Sequence, residues 1–145
     1  MTPLSRPVYL LDTATVVDFL RGEKGTLIAM RATSAAHIAL SVLSDMEIEY
    51  GFARVGSRLQ DGRTMYQAWR RQVQLLPVTV DIANAAGLLR GYLNDHGHCL
   101  SVLDIITGAT ALHHDLTLVT ANPEGFFGHF PDLEILCWRD EKLLS

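Results

Sequence analysis

Cysteine is scarce in this sequence. Its 145 residues hold two, Cys99 and Cys137, too few and too far apart for a disulfide scaffold or a zinc signature. Long apolar runs are also missing, and none approaches the ~18–20 residues that span a bilayer. No membrane association is expected. The opening "MTPLSRPVY" has neither the apolar stretch nor the cleavage pattern of a signal peptide, so a cytoplasmic location is expected. Positive charge is in deficit. Twelve Lys and Arg against 16 Asp and Glu leave a net charge of −4, which argues against a general nucleic-acid-binding surface. No GxGxxG fingerprint, P-loop or GxSxG elbow is present. "HGHC" (96–99) lacks a second ligand pair at zinc spacing and reads as a surface loop. "DTATV" (12–16) has Ala14 where a phosphatase loop built on a nucleophilic Asp needs a second acid.

No linker, low-complexity stretch or repeat divides the chain. Its 48% hydrophobic and 19% charged composition suits one globular domain over residues 1–145. Short apolar runs alternate with helical patterns. That alternation predicts an α/β domain whose central, mainly parallel sheet of four to five strands is flanked by helices. Strands are expected at about 8–11, 37–41, 76–78, 116–120 and 133–138, the last at an edge. Helices are expected at about 13–21, 25–33, from 45 onward, 63–75, 81–94 and 102–114. Gly22 is a plausible C-cap for the first helix. In the helix at 63–75, Met65, Ala68, Trp69, Val73 and Leu76 fall near one face, and Pro77 is expected to stop it. Trp69 and Trp138 read as core or dimer contacts. His113 and His114 read as structural imidazoles favoured by a helix C-terminus.

Three acids share a setting. Asp12 ends the first strand, Glu47 is expected in the first turn after the second strand, and Asp104 opens the helix before "LTLVT". Singly, each has a plain explanation. "SDME" (Ser44, Glu47) and "SVLD" (Ser101, Asp104) match a capping box or its Asp variant, and an acid in a first turn complements the helix dipole by ~0.3–1 kcal/mol. Together they point elsewhere, because ligands of open parallel sheets bind beyond the carboxyl ends of strands. Two like charges ~4 Å apart at an effective dielectric of ~20 repel by about 4 kcal/mol. A converging cluster therefore takes up a proton or a divalent cation, and oxygen-only ligands suit Mg2+ or Mn2+. Carboxylates holding Mg2+ are a standard means of cutting a phosphodiester.

At these residues the chain resembles PIN-domain ribonucleases of the VapC toxin type. "LLDTATVVDFLRG" (10–22) resembles the first family motif and "LSVLSDMEIEYG" (40–51) the second. "SVLDIITGATALHHDLTLVTANPEGF" (101–126) resembles the third and fourth. The resemblance implies a PIN-like fold and a Mg2+- or Mn2+-dependent endoribonuclease. It implies metal ligands at Asp12, Glu47 and Asp104, with a metal-activated water attacking the phosphorus. Thr13, Ser44, Thr120 and Asn122 would support them. It further implies tRNA or rRNA as substrate, a homodimer, and a cognate antitoxin through which operator DNA is bound.

The pattern has departures. Asn122 is neutral where an acid is common. Gly125 stands where a further acid or His often precedes the Phe, with Glu124 as a substitute. Thr107 and Gly108 replace the usual Ala-Ala. The missing fourth acid is the main support for an alternative, a catalytically impaired PIN-like module that binds protein or RNA. Arg54, Arg58, Arg63, Arg70 and Arg71 face one acid, Asp61, within 52–72. They read either as a solvated helical face or as contacts for RNA or antitoxin. Asp18, Glu49, Asp81 and Asp115 read as solvated or capping acids.

Overall fold

The computed structural model describes residues 6–55, 60–98, 100–126, 129–130 and 132–139. In chain order its elements are β1 (Tyr9–Leu11), α1 (Thr13–Arg21), α2 (Lys24–Ala32), β2 (Ile38–Ser41), α3 (Val42–Val55), α4 (Gln60–Arg70), β3 (Gln74–Leu76), α5 (Val80–Asp95), α6 (Val102–His113), β4 (Thr117–Val119) and β5 (Ile135–Leu136). The five strands form one sheet in the order β3-β2-β1-β4-β5, and every neighbouring pair is parallel. The expected parallel sheet and its edge position for the last strand are present. No helix among the described residues is long and apolar enough to cross a membrane.

The sheet divides the core by its two-residue period. Leu11, Ile38, Leu40 and Val119 point to one side, where they pack with Val16, Tyr66 and Trp138. Their neighbours Leu10, Ala39 and Leu118 point to the other, against Leu76, Phe126 and Phe130. Strands buried on both faces read as unbroken apolar runs, which explains "YLL", "IAL" and "LTLV". Both tryptophans belong to the core: Trp138 meets Tyr9 edge-on, and Trp69 packs against Phe19 and Tyr66.

The region after α3 departs from its expected course. The helix α4 ends at Arg70 instead of continuing to 75, and residues 74–76 pair with β2 at the sheet edge. The sheet's need for an edge partner outweighs the helical period, and Pro77 follows the strand rather than ending the helix. The buried face shifts accordingly. Tyr66 is fully buried, whereas Met65 is 45% exposed and Ala68 is also exposed. The Tyr66 hydroxyl donates to Asp45 Oδ1 at 2.6 Å, and Arg70 donates to the same oxygen at 2.7 Å. Burial, followed by that carboxylate, pushes the Tyr66 hydroxyl strongly up, so it remains a donor. Glu49 is likewise bound to Arg63 at 2.8 Å, not merely solvated. Arg63 and Arg70 thus tie α4 to α3.

Two other local expectations are corrected. The helix α3 begins at Val42, and Ser41 Oγ accepts the Leu43 N–H at 3.1 Å. Ser44 is buried within the helix and does not cap it, so Glu47 lies in the second turn. At the end of α6, burial and then the neighbouring His113 lower the His114 pKa. Desolvation outweighs the helix dipole there. His98 Nδ1 stands 3.0 Å from His129 Nε2. Cys99 lies outside the described residues, and those described contain no metal-ligating group of three.

Gly108 explains its own departure from Ala. A Cβ built there would clash with Cε1 of Phe130, a ring that is 3% exposed. Gly108→Ala should cost about 1–3 kcal/mol by overpacking, read as a Tm lowered by several degrees in thermal denaturation. An unchanged Tm would show that the ring relaxes freely.

Candidate active site

The chain leaves β1 for β2 and β3 on one side and later returns to place β4 on the other. The gap beyond the carboxyl ends of β1 and β4 is therefore the switch point where ligands of such sheets bind. Asp12 follows β1 there and Thr120 follows β4. The helix α1 starts immediately after Asp12 because that side chain caps it: Oδ1 accepts the Thr15 N–H at 2.8 Å. The other oxygen, Oδ2, accepts the Thr120 hydroxyl at 2.5 Å. Thr120 is fully buried, and its own oxygen accepts the Asn122 N–H at 3.0 Å. The backbone of residue 122 thus orients a hydroxyl, and the hydroxyl orients Asp12. Capping and site formation use different oxygens of one carboxylate.

Glu47 reaches across from α3, where its Oε1 accepts the Thr13 hydroxyl at 2.7 Å. Asp104 sits in the first turn of α6, where Ser101 Oγ accepts the Asp104 N–H at 3.1 Å. Ser101 supplies the cap, and Asp104 faces inward. Asp12, Glu47 and Asp104 line one cleft of about 550 Å³. A second depression of about 420 Å³ lies near Arg6, His114 and Asp115 and collects none of the three.

Burial pushes the Asp12 carboxyl up. Hydrogen bonds from Thr120 and Thr15 pull it part of the way back, and the charge of Asp104 pushes it up again. Asp12 and Asp104 therefore sense each other, and their repulsion is the cost that a hard cation removes. Two carboxylates with water completing the shell suit Mg2+ or Mn2+. No three Asp, Glu, His or Cys side chains form a ligand cluster among the described residues. Asp12 and Asp104 interact through their charges, while one oxygen of Glu47 is taken by Thr13.

The remaining sequence candidates stand farther off. Asn122 and Glu124 are exposed, and neither lines the cleft. Gly125 is where a Cβ would meet Asn122 Nδ2 at 2.8 Å. None of Arg54, Arg63, Arg70 and Arg71 lines the cleft; Arg54 lies over the Tyr50 ring, and Arg58 is outside the described residues.

Sequence reasoning missed Asp18, Arg21 and Arg139, all of which line the cleft. Asp18 is not a solvated acid. It is 7% exposed and accepts two hydrogen bonds from Arg139, at 2.7 Å from Nε and 3.2 Å from Nη2. A signal existed for α1: positions 13, 14, 17, 18 and 21 fall on one helical face, and all five line the cleft. Arg139 had none, being 121 residues from its partner.

Comparison with known proteins places the fold in a family. The family model "PIN domain" matches residues 9–131. "Ribonuclease VapC19" of Mycobacterium tuberculosis is 33% identical over 128 residues, covering 86% of this chain and 96% of that protein. Two crystal structures share the fold. DNA-bound VapBC from Salmonella typhimurium has a TM-score of 0.81 at 20% identity, covering 91% of this chain and 98% of that one. VapBC2 from Rickettsia felis, bound to a promoter DNA fragment, has a TM-score of 0.79 at 20% identity, covering 90% and 98%.

Proposed function

This chain belongs to the PIN-domain family, and on that premise we propose that it is a metal-dependent endoribonuclease, the toxin of a toxin–antitoxin pair. The observation that carries the reading is the shared cleft. Three acids from three elements line it beside the switch point of a parallel sheet. The 33% identical relative named a ribonuclease supports the activity.

A divalent cation at Asp12 and Asp104 would neutralise charge on the scissile phosphate and make water nucleophilic near neutral pH. The chain's own residues prepare for this. Thr120 fixes the Asp12 carboxylate through Oδ2. Thr13 occupies one oxygen of Glu47, leaving the other to accept a hydrogen bond from water in the cleft. Thr107 closes part of the wall.

The alternative of an impaired binding module drew on the neutral Asn122. Its backbone N–H, not its side chain, reaches the Thr120–Asp12 pair, so the substitution leaves that pair intact. The partners follow from the same reading: tRNA or rRNA as substrate, a second copy in a homodimer, and an antitoxin that carries operator DNA binding. A groove of about 320 Å³ walled by Val17, Leu20, Ile48 and Phe52 adjoins the cleft through Thr13, Arg21 and Glu47, and it suits apolar side chains of an antitoxin segment.

The test is cleavage of total cellular RNA by metal-stripped protein, before and after Mg2+ or Mn2+ is restored. Discrete cleavage is expected with metal and none in EDTA. Equal cleavage in EDTA, or none under either condition from folded protein, would refute the proposal.

A further inference from the structure

The acid cleft has a second wall. Among the described residues, its charged lining comprises Asp12, Asp18, Glu47, Asp104, Arg21 and Arg139, four acids and two bases. An RNA phosphate entering it meets net negative charge from these residues, so Coulomb repulsion must be offset by bases of the same wall. Among the described residues, the bases that line the cleft are Arg21 and Arg139. Arg21 extends from the last turn of α1 and joins no ion pair among the described residues. Arg139 follows β5, and its guanidinium plane is set by the two hydrogen bonds to Asp18.

Asp18 makes this more than a surface ion pair. Its side chain is 10% exposed, while that of Arg139 is 40% exposed. The carboxylate is sunk into the wall and the guanidinium stands at its surface. The two hydrogen bonds fix the orientation of the guanidinium, and the residue lines the cleft. That is the preorganised form in which Arg grips phosphate oxygens. The ordering cost is met during folding instead of on substrate binding.

We propose that Arg139, oriented by Asp18 and flanked by Arg21, is the substrate-phosphate clamp of this site. This rests on the ribonuclease reading above. Arg139 is then a binding residue, and Asp18 a positioning residue that acts through it. The contact holds the RNA backbone in register and carries no base specificity.

The test uses a mixed-sequence single-stranded RNA oligonucleotide and the full chain. Binding is measured with Ca2+ replacing Mg2+, over a series of salt concentrations, and cleavage kinetics are measured with Mg2+. Arg139→Gln should weaken binding about tenfold and reduce the slope of log K against log[salt] by about 0.7, the loss of one single-strand phosphate contact. Arg139→Lys keeps the charge but not the fork. It should raise KM several-fold with kcat little changed, at an unaltered salt slope. Asp18→Asn should resemble the Lys variant, since the guanidinium stays but loses its orientation.

A merely structural latch predicts otherwise: a lower Tm for Arg139→Gln, with wild-type binding and salt slope in the folded protein and wild-type KM for Arg139→Lys. That pattern would overturn the proposal. If Arg139→Gln fails to fold, the KM of Arg139→Lys decides alone. RNA bound equally by wild type and variants removes the clamp and leaves the ribonuclease reading standing. No RNA bound by the wild type removes that reading itself.

Discussion

Asp12→Asn should abolish RNA cleavage, by roughly a thousandfold or more, and at the same time raise the melting temperature of the metal-free protein near neutral pH. The two effects share one cause. Asp12 is a half-buried carboxylate whose pKa is raised mainly by burial and further by the charge of Asp104. As an anion it is an unfavourable resident unless a cation is bound. Loss of a metal contact worth several kcal/mol in the transition state corresponds to about three orders of magnitude in rate. Asn keeps the cap, since its carbonyl oxygen can still accept the Thr15 N–H, while its amide would donate to the Thr120 oxygen and reverse the second bond.

The pH dependence has a definite sign. A carboxyl whose folded pKa lies above its unfolded value contributes stability below the unfolded pKa, and this is lost as pH rises through the folded pKa. In EDTA, the Tm advantage of Asp12→Asn should therefore be absent at acidic pH and grow towards neutrality. Mg2+ should raise the Tm of the wild type but not of the variant. Asp104→Asn should lose cleavage to a similar degree and should lower the Asp12 pKa by removing a neighbouring charge. Wild-type cleavage by both well-folded variants would remove these residues from the site. A lower metal-free Tm for Asp12→Asn at neutral pH would contradict the account of its burial.

Thr120→Val should be the next most damaging change. The hydroxyl links the Asn122 N–H to Asp12 Oδ2, and Val fills nearly the same space without either bond. Leaving two partners unsatisfied in a buried setting costs about 1–3 kcal/mol each. Cleavage should fall about ten- to hundredfold. Removing a hydrogen bond that favours the carboxylate also raises the Asp12 pKa further, so the acid limb of the pH–rate profile should move to higher pH. Thr120→Ser retains the hydroxyl and should restore most of the activity and the original acid limb. A Val variant with an unshifted acid limb would show that Thr120 does not set the state of Asp12.

Much of the architecture was legible along the chain because its causes are local. Strands buried on both faces produce short apolar runs, and Gly22 does close α1 in the left-handed conformation. Failures occurred where a nonlocal partner outweighed a local pattern. Residues 74–76 continue a helical period but form a strand because β2 offers an open edge. Ser44 and Glu47 match a capping box, yet Ser41 at the strand end takes the capping position.

The acids themselves were readable at Asp12, Glu47 and Asp104, since their spacing relative to each element is a local property. Their meeting in one cleft is not local: it depends on β1 and β4 lying side by side. That adjacency creates the Thr120–Asp12 bond across 108 positions and accompanies the Arg139–Asp18 pair across 121. By itself, the sequence determined an α/β domain and three acids placed at the starts of helices or close after a strand. Only the tertiary structure decided that Asp12 serves as cap and site residue through separate oxygens, and that Gly108 is required by the Phe130 ring. It also decided that an arginine near the end of the chain lines the same cleft. Periodicity encodes which face of an element is apolar, whereas strand order and side-chain convergence arise when those faces pack against one another.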